Sequence, residues 1–367
     1  ASQGNDIFFN GTMPSLSGYL KVISTGTLPW YLVLTSSAAY TATIAGNLEI
    51  SNGGYLVLTD GAGASTVTVN GNVSVVGTGS QLDLKQSTGI GTLNVKGNFT
   101  LTNGTIGTFG AGGGELVFNG TAIQTFSRTG GTITAAVNYT VFDFSLLDLG
   151  GNALTGSGKI TLNNNSTLYV GSTDLSGAIQ LSPTSAGNIQ VSGVRTYSSS
   201  SNIVYNGTAA QKLGNGFPSN VNLEIANVNG VTNNNVGTTN FVGNLTLTTG
   251  ALHIGSSNTL NIQSNFFTTS NGSIGGDATS NLTFSGSGTL NTLRFASTKE
   301  LLNNLTVSRI ADLVLGSNLT VSGTIDLSGG NLDFSGQTLT MNGSSITSNA
   351  TGLKSSSTSN LTFGGST

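Results

Sequence analysis

Apolar and polar residues alternate in short runs along the whole chain, and between Gly46 and Gly120 these runs fall into register three times. The first line runs from Asn47 through LEISNGGYLVLTDGAGASTVTVNG. The second starts at Asn72 with VSVVGTGSQLDLKQSTGIGTLNVKG, and the third at Asn98 with FTLTNGTIGTFGAGGGELVFNG. The bounding glycines Gly46, Gly71, Gly97 and Gly120 are 25, 26 and 23 residues apart. A period in this range marks a stacked architecture, in which one coil cannot bury its apolar face alone and the next coil covers it.

Within one line the alternation is that of strands. Leu48 and Ile50 share a face with Glu49 opposite; Leu56 and Leu58 form a second such pair, and Val67 and Val69 a third. Gly53-Gly54, Asp60-Gly61 and Asn70-Gly71 separate the runs, and these residue types tolerate left-handed turns. The expectation is an all-β, right-handed, single-stranded parallel β-helix, a solenoid with three short strands per coil. It would have about 16 coils of roughly 20–26 residues. At about 4.8 Å per coil the stack would be about 80 Å long. One continuous β-helix over 1–367 is expected, with an irregular portion over 1–40 and regular coils over 41–120.

A longer period overlies the coils. Glu115-Leu-Val-Phe118-Asn-Gly-Thr121 returns as Asn202-Ile-Val-Tyr205-Asn-Gly-Thr208, as Asn281-Leu-Thr-Phe284-Ser-Gly-Ser287, and as Asn360-Leu-Thr-Phe363-Gly-Gly-Ser366. Modules are therefore expected to begin near 115, 202, 281 and 360, and Asp6-Ile-Phe-Phe9-Asn-Gly-Thr12 reads as one more such opening run. Because the chain starts without methionine near one opening run and stops inside another, it is expected to be part of a longer rod.

Composition narrows the class. The 367 residues include 54 glycines and no cysteine, and only 7% are charged, with a net charge of -3. The poor helix formers Thr, Ser, Asn, Val and Gly dominate, and no helical stripe appears. Continuous alternation argues against a disordered linker. The eleven basic residues are scattered singly, so no nucleic-acid footprint is expected. No apolar run reaches the ~18 residues of a membrane-spanning helix. Outer-membrane barrel strands of ~9–11 residues are longer than most runs here. Without cysteine there is neither a disulfide framework nor a thiolate metal site.

Runs such as VFNGTAIQTF, GNLTLTTGALHIGSSNTLNIQSN and SNLTVSGTIDLSGGNLDFSGQTLTMNG resemble the repeats of large secreted surface proteins of Bacteroidota. Those proteins are similar to filamentous-haemagglutinin-type right-handed β-helix adhesins, and many leave the cell through the type IX secretion route. The resemblance covers most of residues 40–367 and is compositional. It implies an extracellular or bacterial cell-surface location and says little about a ligand. Open stack ends would expose unpaired strand edges, so self-assembly (end to end or lateral) is an expected partnership, with surface glycans as the other.

Candidate chemistry is sparse. His253, the only histidine, is read as a solvated outward residue between Leu252 and Ile254. Glycosidic catalysis would need two carboxyl groups within ~5–9.5 Å. Asp143 and Asp148 are read as pointing to opposite faces of a strand, and Asp326 and Asp333 as lying on different sides of the coil. Glu49, Asp83, Glu115 and Glu224 are read as outward solubilising residues. Asp60-Gly61 and Gly276-Asp277 are read as turns rather than calcium sites, which need several oxygen ligands. Trp30 is expected to be an apolar core or end-of-stack residue.

Thr66-Val-Thr68, Thr246-Leu-Thr248 and Thr338-Leu-Thr340 suggest the Thr-x-Thr rungs of an ice-binding face. That ladder is expected to be broken by Ser74, Asp83, Asn94 and Lys96. The sequons at Asn98, Asn138, Asn206, Asn244 and Asn304 are read as consequences of composition. No catalytic, cofactor or metal residues are expected, and no ligand-binding residues are assigned. The function that follows is a non-enzymatic extracellular structural or adhesive rod. The alternatives are a polysaccharide-active β-helix lyase or hydrolase, and an ice-binding protein.

Overall fold

The structure, a computed structural model, describes residues 6–8, 16–24, 31–35, 39–109, 113–343, 345–349 and 352–364. Trp30, residues 9–12 of the first opening run and Ser366 of the last lie outside them. Among the described residues the regular structure is all strand, without a helix, and the strands pair in parallel as a β-solenoid. No helix among them is long and apolar enough to cross a membrane. The chain forms two compact units, Ala1–Tyr169 with Ser182–Ser201, and Val170–Leu181 with Asn202–Thr367.

Through the regular coils of the first unit each strand pairs with the third one on. Leu48–Ser51, Tyr55–Thr59 and Ser65–Val69 make one coil, and Val73–Val76, Gln81–Lys85 and Gly91–Val95 make the next. Leu48 stands opposite Val73 and Val73 opposite Phe99, while Val67 stands opposite Leu93 and Leu93 opposite Leu116. The three lines of sequence are thus three coils in the register read from their glycines. All of these aliphatic and aromatic side chains are at most 1% exposed. Each is worth about 1.5–3 kcal/mol of burial, set against the conformational entropy lost on ordering the coil.

Two features depart from a uniform coil. Ile160 pairs with Arg195, so one turn of the first unit is considerably longer than 20–26 residues. The third line is also lengthened. Phe99 pairs with Phe126, and their rings stack in parallel with centroids 5.7 Å apart.

The second unit has the same design with shorter coils. Leu245–His253 is nine residues long and turns a corner at Gly250, whose φ is 80°. Before the corner it pairs with Phe266–Thr268, and after it with Gly272–Gly275. A Cβ at Gly250 would stand 1.9 Å from the Asn227 carbonyl oxygen, so only glycine fits this bend. A six-stranded sheet runs from Thr238–Phe241 through Thr259–Ile262, Asn281–Phe284, Asn304–Val307 and Thr324–Leu327 to Ser345–Ser348. Asn202–Tyr205, Asn281–Phe284 and Asn360–Phe363, the strands that open successive long repeats, lie in three different sheets of this unit. The long sequence period therefore does not span a whole number of coils.

Candidate functional site

Asparagine is the connector between coils. The Asn72 amide donates to Asn47 Oδ1 at 2.8 Å, 25 residues away, and the Asn98 amide donates to Asn72 Oδ1 at 2.8 Å, 26 residues away. The Thr125 amide donates to Asn98 Oδ1, 27 residues away. The second unit repeats the device, from the Asn244 amide to Asn222 Oδ1 and from the Thr324 amide to Asn304 Oδ1. An amide at a strand entry has no partner in its own strand, and the side chain one coil away supplies it.

This gives four of the sequon asparagines a physical role. Asn98 and Asn304 are acceptors in this ladder, Asn138 accepts from the Lys159 amide, and Asn244 accepts from Ser264 and Asn265. In Asn244-Leu-Thr the asparagine bridges coils, Leu245 is fully buried and Thr246 faces outward. The triplet is a structural unit of the coil, and composition alone was too weak an account of it.

The carboxylates are engaged by hydroxyls, amides and lysines of their own or a neighbouring coil. Glu49 binds Lys21 at 2.9 Å and accepts from Ser51, and both contacts hold its carboxyl below the usual range. Glu115 accepts from Asn138 and lies 3.6 Å from Lys159, and Glu224 accepts from Thr248 at 2.6 Å. Asp143 sits in a turn rather than in a strand, which removes the strand argument applied to it. It accepts from the Asn164 amide, whereas Asp148 accepts from that of Gly150. Asp326 and Asp333 lie in different sheets, each closing a local turn onto Ser328 and Ser335.

Asp83 corrects the sequence reading. It is fully buried, not a solubilising residue. Tyr55 donates its hydroxyl to Oδ2, and the Gln81 and Gln86 amides donate at 2.8 and 3.0 Å. Burial pushes the Asp83 carboxyl up despite these bonds, and burial together with the nearby Asp83 charge pushes the Tyr55 hydroxyl well above the usual phenol range. The alternating pattern identified its strand but not the layer formed by Tyr55, Gln81 and Gln86 over its outer face.

Among the described residues no group of three or more His, Cys, Asp or Glu could hold a metal ion. The threonine rungs lie on separate sheets. Thr66 and Thr68 stand between Thr41 and Thr43 on one side and Thr92 and Asn94 on the other, followed by Glu115 and Val117. Asn94 does interrupt this ladder, but Ser74 and Asp83 belong to the other two sheets of the unit. Thr246 has Glu224 and Phe267 as neighbours, and Thr340 has Thr320 and Thr362.

One outward Asn/Thr column escaped the sequence reading. It runs Asn240, Asn261, Thr283 and Thr306 along the six-stranded sheet and ends against Asp326. Variable coil lengths and mixed Asn/Thr identity hid it. Its asparagines spend their hydrogen bonds between rungs; Asn261 Nδ2 donates to Asn240 Oδ1 at 2.9 Å.

A concave polar site lies around His253 in the second unit. Thr232, His253 and Gly275 follow one another across three strands. A Cβ on Gly275 would come 2.0 Å from His253 Nδ1, and one on Gly230 would come 3.1 Å from Nε2, so two glycines make room for the imidazole. His253 is outward, as expected, but half-buried rather than solvated; burial, and then the charge of Lys299, push its pKa down. Thr232, His253, Ser256, Asp277 and Lys299 line a cleft of about 360 Å³.

Asp277 accepts from Ser256 Oγ at 2.7 Å and from the Thr279 amide and hydroxyl at 2.8 and 2.7 Å. Partial burial raises its pKa, but these bonds outweigh that and hold it at about 2. Lys299 and the two glycines were missed because their proximity to His253 depends on coil register, which no local motif encodes. No protein-family model, curated protein or solved structure matches the chain.

Proposed function

We propose that this chain is a segment of a non-enzymatic, extracellular structural and adhesive rod, wound right-handed in about 16 coils and carried at a bacterial cell surface. The observation behind this reading is the rung-to-rung asparagine ladder. Backbone amides and side-chain oxygens join successive coils in both units, so each added coil brings its own fastening. Such a design makes length and cumulative stability cheap in special residues, which suits a protein that extends and presents. The carboxylates described above support the non-enzymatic part, since each is engaged by a hydroxyl, lysine or amide. Self-association or surface glycans are the partners this reading implies, and the resemblance to Bacteroidota surface repeats points to type IX export.

Electron microscopy of the purified protein tests the rod directly. Particles with one long axis are expected, and compact particles would overturn it. Incubation with a panel of polysaccharides tests the adhesive part. Retention without new reducing or unsaturated ends is expected, and turnover would replace this reading with the enzyme.

A further inference from the structure

We infer that the cleft around His253 binds a sugar unit carrying a single carboxylate, such as a hexuronic acid. The inference deepens the adhesive reading and rests on it only in taking glycans as the partners. The cleft walls are polar and glycine-lined, without a large apolar side chain, so an acyl or aromatic ligand would find nothing to bury against. Its volume, about 360 Å³, is at the small end for ligand sites and suits one or two sugar rings.

The charges select the ligand further. Lys299 is exposed and, among the described residues, forms no ion pair, leaving an ammonium free to meet an anion. Asp277 keeps its negative charge in the same cleft and accepts hydrogen bonds on both oxygens. Oδ1 is filled by the two Thr279 bonds, but Oδ2, which accepts from Ser256 alone, retains acceptor capacity that a sugar hydroxyl can fill. A doubly charged phosphate placed against Lys299 would be repelled by Asp277, and a neutral sugar would leave Lys299 unused. One carboxylate on a hydroxyl-rich ring satisfies both groups. His253, held between Gly230 and Gly275, and the hydroxyls of Thr232 and Ser256 offer the remaining polar contacts.

The single histidine makes the test site-specific, because its imidazole protons give one set of resonances from this cleft. The intact chain is titrated with glucuronate, glucose and inorganic phosphate, and the His253 resonances are followed by NMR. Saturable shifts with glucuronate are expected, with glucose and phosphate at least about tenfold weaker, the scale of one charge-assisted contact. Lys299→Gln, a change at an exposed position, should weaken glucuronate by about tenfold or more with the unfolding midpoint unchanged, as one lost charge-assisted contact. Asp277→Asn should weaken it while improving phosphate.

No shift with glucuronate overturns the proposal, as does equal binding of phosphate or of glucose, or glucuronate binding indifferent to Lys299→Gln. Each of these leaves the microscopy test of the rod untouched.

Discussion

Asn98 and Asn72 are joined by a 2.8 Å hydrogen bond from the backbone amide of one to the side-chain oxygen of the other, although 26 residues separate them. Asn72 in turn donates its amide to Asn47. Each asparagine thus closes the coil behind it and opens the one ahead, and losing one side chain strands a single amide. Asn72→Ala should cost about 0.5–1.5 kcal/mol, the net worth of one such bond. Thr68→Ala, at a position whose threonine only receives a long 3.3 Å contact from Asn94, should stay within about 0.5 kcal/mol. Denaturant unfolding of both variants checks the contrast.

The aromatic column in the first unit is expected to be far more costly to disturb. Phe126 is 1% exposed, stacks on Phe99 and meets Phe118 and Tyr139 edge to face with centroids 6.4 Å away. Phe126→Ala should destabilise by about 3–5 kcal/mol, the range for a large buried aromatic whose cavity cannot collapse. Phe126→Leu should cost clearly less. Equal losses for the two would mean that the ring geometry, rather than volume, carries the contact.

Asp83 sets a pH signature of stability. Its folded-state pKa is raised above the unfolded value, because burial outweighs the bonds from Gln81, Tyr55 and Gln86. A raised carboxyl favours the folded state below the unfolded pKa, and that contribution is lost as pH rises through the folded pKa. Asp83→Asn removes this titration. The stability of the variant relative to the parent should therefore rise between acid and neutral pH. Parallel unfolding curves from pH 3 to 8 read it, and a pH-independent difference would contradict the assignment.

Gly275 makes space for His253, so Gly275→Ala should move the imidazole without unfolding the strand. A Cβ there would lie 2.0 Å from Nδ1, while backbone φ imposes no left-handed requirement at this glycine. The expected outcome is a changed His253 NMR environment with an almost unchanged far-ultraviolet circular dichroism spectrum.

The parts of the fold legible in the sequence were those set by local pattern. Alternation in Leu48-Glu-Ile50, Leu56-Val-Leu58 and Val67-Thr-Val69 located three strands, and glycine spacing gave their register because those coils differ in length by only a residue or two. What depended on the third dimension was not legible. Asp83 alternates like a surface residue but is covered by side chains from its own and a neighbouring strand. The cleft joins Thr232, His253, Asp277 and Lys299 from four successive passes of the chain, and their separations carry no motif. The Asn240 to Thr306 column is likewise visible only after the unequal coils have been stacked.

Coil-to-coil register underlies the ladder, the cleft and the proposed rod alike, and the absence of cysteine allows it to be measured directly. Thr66 stands opposite Thr92 and Thr68 opposite Asn94 on adjacent parallel strands. Under mild oxidation the double variant Thr66→Cys/Thr92→Cys should form an intramolecular disulfide rapidly, since paired strands bring Cα atoms within the roughly 4.4–6.8 Å that a disulfide spans. The diagonal pair Thr66→Cys/Asn94→Cys should stay largely reduced. Preferential cross-linking of the diagonal pair, or of neither, would contradict the stacked register on which the account rests.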